Sequence, residues 1–182
     1  MRIGHILGAL LEVERLAAAL ADVVSRGWPC SVDELPRERA LHLGRVDLAG
    51  APCASVGDSA ALILVEATAG SYRPGGWLEL QTTLSGAPVG VCLACENPMQ
   101  ALGWYRGLGL AGSTRPEIDG AISVDLSQGQ WLRFVSRASV QAAPSWRPLA
   151  ISFARVDAQG RQSPGLRPRL LAGPECETIE LL

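Results

Sequence analysis

The sequence predicts an α+β fold made of two successive units, each with the order strand, helix, strand, strand, strand. The clearest observation is the alternating apolar run Val89–Cys95, which has the period of a strand with one packed face. Asn97 and Pro98 follow it and predict the start of a helix. A similar order of elements is predicted over residues 1–83, and a recurring order is stronger evidence for a fold than one motif.

In the first unit, residues 1–83, apolar spacing alternates between the strand period and the helix period. Leu16, Leu20 and Val23 recur at helical spacing, and Gly27 is a suitable helix end. The predicted elements are a strand at 2–9, an amphipathic helix at 11–26, and strands at 41–46, 60–67 and 77–83.

In the second unit, residues 87–136, the helix has the best-marked boundaries. Asn97 is its predicted cap, Pro98 its first residue, and Gly107 and Gly109 lie at its end. The predicted elements are a strand at 89–95, a helix at 98–107, a strand near 110–115, and strands at 121–127 and 131–135.

The segment Val89–Leu110, VGVCLACENPMQALGWYRGLGL, resembles the first half of a βαβββ module of the vicinal-oxygen-chelate superfamily. The resemblance rests on a strand, an Asn-Pro cap, a helix with the aromatic pair Trp104-Tyr105, and a Gly-Leu-Gly-Leu exit. Glyoxalase I, the extradiol dioxygenases and the bleomycin-resistance proteins belong to this superfamily. The resemblance implies that tandem modules form a curved mixed-sheet cup, in which a small-molecule ligand lies.

The C-terminal residues 137–182 are an extension or a degenerate module. Residues 149–156 and 177–182 are predicted strands, and GPECETIELL resembles the last strand of a family module. Residues 149–182 are therefore either a strand pair added to the second module or a third module without its helix.

The family resemblance also implies where a metal would be held, on the first and last strands of each module. His5 falls at the first-strand position, and PGGWLEL places Glu79 at the last-strand position. In the second module these positions fall on Gly90 and Arg133. Glycine has no ligating side chain and arginine keeps its proton, so no metal cofactor is expected.

An alternative interpretation retains a metal cofactor. If residues 177–182 supply the closing strand, Glu180 joins His5 and Glu79. One histidine and two carboxylates suit a divalent metal such as Fe, Mn or Zn.

Without a metal, His5 and Glu79 are predicted to form a catalytic acid/base pair. Arg133 could then bind a carboxylate or enolate oxygen of the ligand. The competing interpretations are that Glu79 and Arg133 neutralise each other, and that His5 is only a packed histidine.

Further ligand-binding residues follow from strand alternation. Ile122 and Val124 should pack on the helix, so Ser123 and Asp125 should face the cup. Trp77, Gln81 and Trp131 share the strand parity of Glu79 and Arg133 and should line the same cavity. Two tryptophans among these side chains indicate a flat, partly apolar ligand, and ordinary packing is an equal alternative. The predicted lining residues are Ser123, Asp125, Trp77, Gln81 and Trp131, beside Arg133.

The sequence therefore predicts an isomerase, lyase or cyclase that transfers a proton on a small metabolite. One alternative is a non-catalytic binding or resistance protein, and another is a metal-dependent lyase or dioxygenase using His5, Glu79 and Glu180.

Composition limits the other functions. A net charge of −2 favours no nucleic-acid partner, and all sixteen basic residues are arginine, so lysine chemistry is excluded. Five cysteines without a disulfide pattern, and an N-terminus unlike a signal peptide or membrane span, predict a reduced, cytoplasmic protein without a membrane partner. Cys92 and Cys95 should point to opposite faces of their strand, and a homodimer is left open.

Overall fold

The computed structural model describes residues 2–28, 30–31, 51–56, 62–70, 76–79, 90–139, 146–162, 167–175 and 177–182. These residues form an α+β fold of two mixed sheets and two α-helices, which confirms the predicted fold class. In chain order the elements are β1 (Arg2–Val13), α1 (Leu16–Ser25), β2 (Cys30–Ser31), β3 (Cys53–Val56), β4 (Leu62–Glu66), β5 (Gly76–Glu79), β6 (Gly90–Cys95), α2 (Pro98–Gly107), β7 (Thr114–Pro116), β8 (Ile122–Asp125), β9 (Trp131–Ser136), β10 (Arg147–Val156), β11 (Arg169–Ala172) and β12 (Thr178–Leu181).

Each sheet contains one βαβββ unit. The first sheet has the order β11-β12-β10-β1-β4-β3-β2, and the second has the order β5-β6-β9-β8-β7. In the first unit β1 is parallel to β4, and in the second β6 is parallel to β9. The remaining pairs of each unit are antiparallel. Among the described elements, the first strand is therefore followed by a helix and two strands before its parallel partner in both units.

The strand predicted at 77–83 lies in a different sheet from the one expected. Its described part, β5, pairs antiparallel with β6 of the second sheet, with Glu79 opposite Gly90. The last strand of the first unit is instead β4, because β4 occupies the parallel position beside β1. The domain boundaries at 83, 87 and 136 stay predictions.

The C-terminal strands join the first sheet rather than the second. β10 pairs antiparallel with β1, β12 pairs parallel with β10, and β11 pairs antiparallel with β12. This is the arrangement of the first and last two strands of a βαβββ unit, and no helix separates them in residues 147–162, 167–175 and 177–181. Whether residues 137–182 are an extension or a degenerate module stays a prediction.

Some element boundaries differ from their predictions. Helix α1 begins at Leu16, because Leu11–Val13 extend β1 and pair with β4. The strand predicted near 110–115 is the short β7, Thr114–Pro116. Helix α2 begins and ends at the predicted residues, and the Asn97 side chain accepts the Gln100 N–H at 3.1 Å. The strand predicted at 41–46 lies outside the described residues.

Both helices and one face of each sheet share a single hydrophobic core. Tyr105 of α2 connects the sheets: its ring centroid lies 5.3 Å from that of Phe134 on β9 and 6.3 Å from that of Phe153 on β10. We call the opposite face of each sheet, turned away from this shared core, its distal face. Buried distal residues are Leu10, Ile63, Val65 and Ala150 on the first sheet, and Cys92, Ala94, Ala121 and Val135 on the second.

Backbone and side-chain bonds fix β1 against the second unit. The Ile3 N–H donates to the Gly109 carbonyl at 3.0 Å. The buried Gln130 side chain accepts from the Ile6 N–H at 2.6 Å and donates to the Ile6 carbonyl at 3.0 Å. Gln130 thus bonds β1 much as a neighbouring strand would, and it places the β8–β9 connection beside the start of β1.

Candidate functional site

Two rows of residues cross the distal face of the second sheet. In one row, Arg133 is paired with Cys92 on β6 and with Ser123 on β8. In the other, Trp131 is paired with Gly90 and Asp125. The alternate residues of β8 and β9 pack into the shared core, so these rows lie on the face away from it.

Trp131 covers the position at which the family resemblance implied a first-strand metal ligand. A Cβ atom added to Gly90 would lie 2.1 Å from Cε2 of the Trp131 indole. Any other residue at position 90 would therefore collide with the ring. The half-buried indole is an apolar platform on this face, where the metal-dependent proteins would have a ligand.

Arg133 forms an ion pair that the sequence analysis missed. Its Nη2 atom lies 3.0 Å from Oδ2 of Asp119, in the β7–β8 turn. The other Asp119 oxygen, Oδ1, accepts the Ala121 N–H at 3.1 Å. This backbone bond, with Arg133 nearby, lowers the pKa of Asp119. The Asp119-Gly120 turn directly before a strand was the available sequence signal.

Arg133 also has a buried donor that no described residue accepts from. Its Nε atom is buried and has no hydrogen-bond partner among the described residues. A buried polar group without a partner destabilises a fold by roughly 1–3 kcal/mol. An acceptor oxygen on a ligand would remove that penalty, so the guanidinium is suited to binding an anion.

The two polar residues of β8 have different surroundings. Ser123 is buried beside Arg133. Asp125 is partly exposed, accepts from the Ser113 hydroxyl at 2.8 Å and pairs with Arg115 at 3.2 Å. Asp125 therefore has its own partners at the rim of the face.

His5 lies against the 3₁₀ turn Ser127–Gly129, which connects β8 to β9. Its Nδ1 atom is 3.5 Å from the Ser127 hydroxyl oxygen, and its Nε2 atom is 3.5 Å from the Gln128 side-chain nitrogen. Partial burial lowers the pKa of His5, which favours the neutral ring at pH 7. Gln128 has φ of 64°, a conformation that is strained for a residue with a side chain and that often occurs at functional sites.

His5 and the Trp131 row lie at the same end of the second sheet. The row ends at Asp125, and the turn that contacts His5 follows directly. Glu79 is in register with Gly90, so its backbone lies two strand spacings, about 10 Å, from Trp131. Trp77 is in register with Cys92. The side chains of Glu79 and Trp77, and all of Gln81, lie outside the described residues.

Glu180 lies on the distal face of the first sheet. It is buried and accepts a hydrogen bond from the Ser152 hydroxyl at 2.5 Å. Ser152 is paired with Gly8 on β1, three residues or about 10 Å along the strand from His5. The structure therefore does not bring Glu180 to the turn that contacts His5.

Two of the four implied metal positions, Gly90 and Arg133, do not fit a divalent cation. An indole covers Gly90, and a guanidinium occupies the last-strand position. Across the parts of the chain that the structure describes, no group of three or more His, Cys, Asp or Glu is placed to hold a metal ion.

Cys92 and Cys95 point to opposite sides of β6, as their spacing predicts. Cys92 packs in the distal cluster, and Cys95 packs in the shared core. Burial, with the nearby Glu175 and Glu177, raises the pKa of Cys95 to about 12. The Cys95 thiol is therefore unsuited to thiolate chemistry.

Comparison with solved structures shows a likeness in fold. No protein-family model and no curated protein matches the chain. The chain is similar to a crystal structure described as a "putative dioxygenase" from Bacillus subtilis subsp. subtilis str. 168, with 12% sequence identity and a TM-score of 0.38. The match covers 100% of this chain and 62% of that one, so this chain spans less than two thirds of its length. Within the described residues, no helix has the length and apolar character needed to cross a membrane.

Proposed function

We propose that the distal face of the second sheet binds a small, partly apolar molecule through its carboxylate or enolate oxygen, and that His5 transfers a proton on that molecule. The reaction would be of the isomerase, lyase or cyclase type. The observation that supports the proposal best is the buried Nε donor of Arg133, which has no acceptor in the part of the chain that the structure describes and lies on the same face as the Trp131 indole.

Arg133 and Trp131 together define the kind of ligand. They are alternate residues of β9, so their Cα atoms are about 7 Å apart along one face. A planar ligand could stack on the indole while its anionic group accepts hydrogen bonds from the guanidinium. A molecule with an aromatic or unsaturated body and one carboxylate has the matching size and charge.

His5 supports the chemical part of the proposal. A neutral imidazole can accept a proton at pH 7, and the pKa of His5 is shifted in the direction that keeps it neutral. The Ser127 hydroxyl lies near one ring nitrogen and can orient the ring. An enolate formed by proton removal would be stabilised by Arg133.

The test uses phenylpyruvate, a planar 2-oxo acid, in D₂O. Proton transfer is expected to exchange deuterium into the carbon next to the carbonyl faster than the background rate, as followed by proton NMR. His5→Ala should slow this exchange by about a hundredfold, the scale for loss of a positioned base. His42→Ala removes the only other histidine and is the matched control, with an unchanged rate expected. Full exchange by His5→Ala would contradict the catalytic role.

A non-catalytic binding protein is the second candidate. It is favoured by the long 3.5 Å separations around His5, since they leave the ring without a close partner among the described residues. In that case phenylpyruvate would bind and be recovered without enzymatic exchange. Arg133→Leu would then weaken binding, and His5→Ala would change affinity alone.

A further inference from the structure

We infer that Asp119 is an internal substitute for the ligand's carboxylate, and that carboxylate ligands bind Arg133 by displacing it. The inference rests on the proposed binding function of this face. It narrows the anion from a carboxylate or enolate to a carboxylate, and it adds Asp119 as a residue that controls the affinity.

The two donors on one edge of the Arg133 guanidinium are the basis of this inference. Nε and Nη2 lie on one edge of an arginine side chain, and together they match the two oxygens of a carboxylate. Asp119 contacts this edge through Nη2 alone, at 3.0 Å, and directs its other oxygen to the Ala121 N–H. The edge is therefore half used, and its buried Nε donor has no acceptor among the described residues.

Asp119 is placed where it can leave without unfolding the site. Its side chain is 51% exposed, whereas that of Arg133 is 23% exposed. Asp119 belongs to a turn that also has its own bonds, from the Glu117 N–H to the Ala121 carbonyl and from the Gly120 N–H to the Glu117 carbonyl. An ion pair with one solvent-exposed partner is only weakly stabilising, so a ligand that uses both donors can replace Asp119.

This arrangement selects for carboxylates. A carboxylate gains the Nε bond that Asp119 does not make, and it restores the charge pairing lost when Asp119 leaves. A neutral amide of the same shape gains neither the second acceptor oxygen nor the charge. Benzoate and benzamide are therefore a matched pair of probes for this edge.

The experiment compares benzoate binding by the wild-type protein and by Asp119→Asn, measured by calorimetry and by the ¹⁵N NMR signal of the Arg133 Nε–H. Asparagine retains an oxygen for the Ala121 N–H but removes the competing charge. Asp119→Asn should bind benzoate roughly three- to tenfold more tightly, because a weak ion pair no longer occupies the arginine. Benzamide should show no such gain.

Asp157→Asn is the matched control. Asp157 is also a turn aspartate that accepts backbone N–H bonds and pairs with an arginine, Arg161, at 2.9 Å. Its substitution should leave benzoate affinity unchanged.

Two outcomes separate this inference from the proposed function. If Arg133→Leu loses benzoate binding but Asp119→Asn binds no more tightly than wild type, the displacement of Asp119 is refuted and the binding site stands. If wild type and Arg133→Leu behave alike towards benzoate, the binding site and the inference both fail. Thermal unfolding of each variant, with Asp119→Ala as a second substitution, identifies any effect that comes from loss of the fold.

Discussion

The two sheets contain the same βαβββ unit but present different chemistry on their distal faces. The equivalent strands are β4 and β9, since each is the last strand of its unit and lies parallel to the first. On β4 the distal residues are Ile63 and Val65, both buried. On β9 they include Trp131 and Arg133, whose buried Nε donor has no acceptor among the residues that the structure describes. The connection of strands therefore sets where a residue lies, while the residues at alternate positions set what that face can bind.

The largest effect is expected at Gly90, because the absence of a side chain there leaves room for the Trp131 ring. Gly90→Ala would place a Cβ atom against the Trp131 ring and force the indole to move. We expect the free energy of unfolding to fall by about 1–3 kcal/mol, the usual range for overpacking. Urea denaturation and tryptophan fluorescence measure the change.

Gly103→Ala is the control for that substitution. A Cβ atom at Gly103, inside α2, would meet no neighbouring atom. Alanine there should stabilise the protein by about 0.5–1 kcal/mol through helix propensity. If Gly90→Ala were as stable as Gly103→Ala and kept the wild-type fluorescence, the Trp131 platform would be wrong.

The fold was largely predictable because its signals are local. Asn97 and Pro98 are adjacent to the helix that they begin, and the alternation of β6 is read within six residues. Strand partners, by contrast, depend on contacts between distant residues. The pairing of β10 with β1 and the place of β5 beside β6 therefore escaped the sequence analysis.

Strand alternation predicted which residues of the candidate site share a face, but it did not predict which residues they bond. Alternation put Arg133, Trp131 and Ser123 on one face, and the structure places them in neighbouring positions there. The partner of Arg133 is Asp119, from a turn whose approach depends on the fold of the β7–β8 hairpin. Alternation alone also could not show that Glu180 belongs to the first sheet.

The next expected effect contrasts the two distal faces directly. Arg133→Leu should weaken benzoate binding by about 10- to 100-fold, because it removes charge-assisted hydrogen bonds to the carboxylate. Ile63→Val, on the equivalent strand of the first sheet, should leave benzoate affinity unchanged. Calorimetry on both variants measures this, and a loss of affinity in Ile63→Val alone would reverse the assignment of the two faces.

A smaller, pH-dependent effect is expected at Glu177, which bonds Tyr105 of the core that the two sheets share. Glu177 accepts the Tyr105 hydroxyl at 2.7 Å and the Glu175 N–H at 2.8 Å, and its burial raises its pKa above the ordinary 4.5. The folded state therefore holds this proton more tightly than the unfolded state. The associated stability is present below pH 4.5 and is lost as the pH rises through the folded pKa.

Glu177→Gln tests this linkage, because glutamine keeps an acceptor for Tyr105 without titrating. The free energy of unfolding of wild type, relative to Glu177→Gln, should decline from pH 4.5 towards neutrality. Denaturation series at several pH values measure the difference. A constant difference across that range would show that Glu177 is not perturbed.

The smallest effect is expected in the titration of the His5 ring. Its pKa is lowered by partial burial, so its proton NMR titration should have a midpoint below 6.5. The matching contribution to stability is present above pH 6.5 and is lost as the pH falls through the folded pKa. Ser127→Ala should leave the midpoint nearly unchanged, since burial is the cause of the shift. A midpoint above 6.5 would contradict the neutral ring that the proposal requires.

The central claim is that the distal face of the second sheet, not that of the first, binds the ligand. The most direct test is a methyl-NMR titration of the protein with benzoate, in which alanine, valine, isoleucine and leucine methyl groups report on both faces. Ala94, Ala121 and Val135 report on the second sheet, and Leu10, Ile63 and Val65 report on the first. We expect saturable shifts at Ala94, Ala121 and Val135 that are lost in Arg133→Leu. Shifts confined to Leu10, Ile63 and Val65 would contradict it.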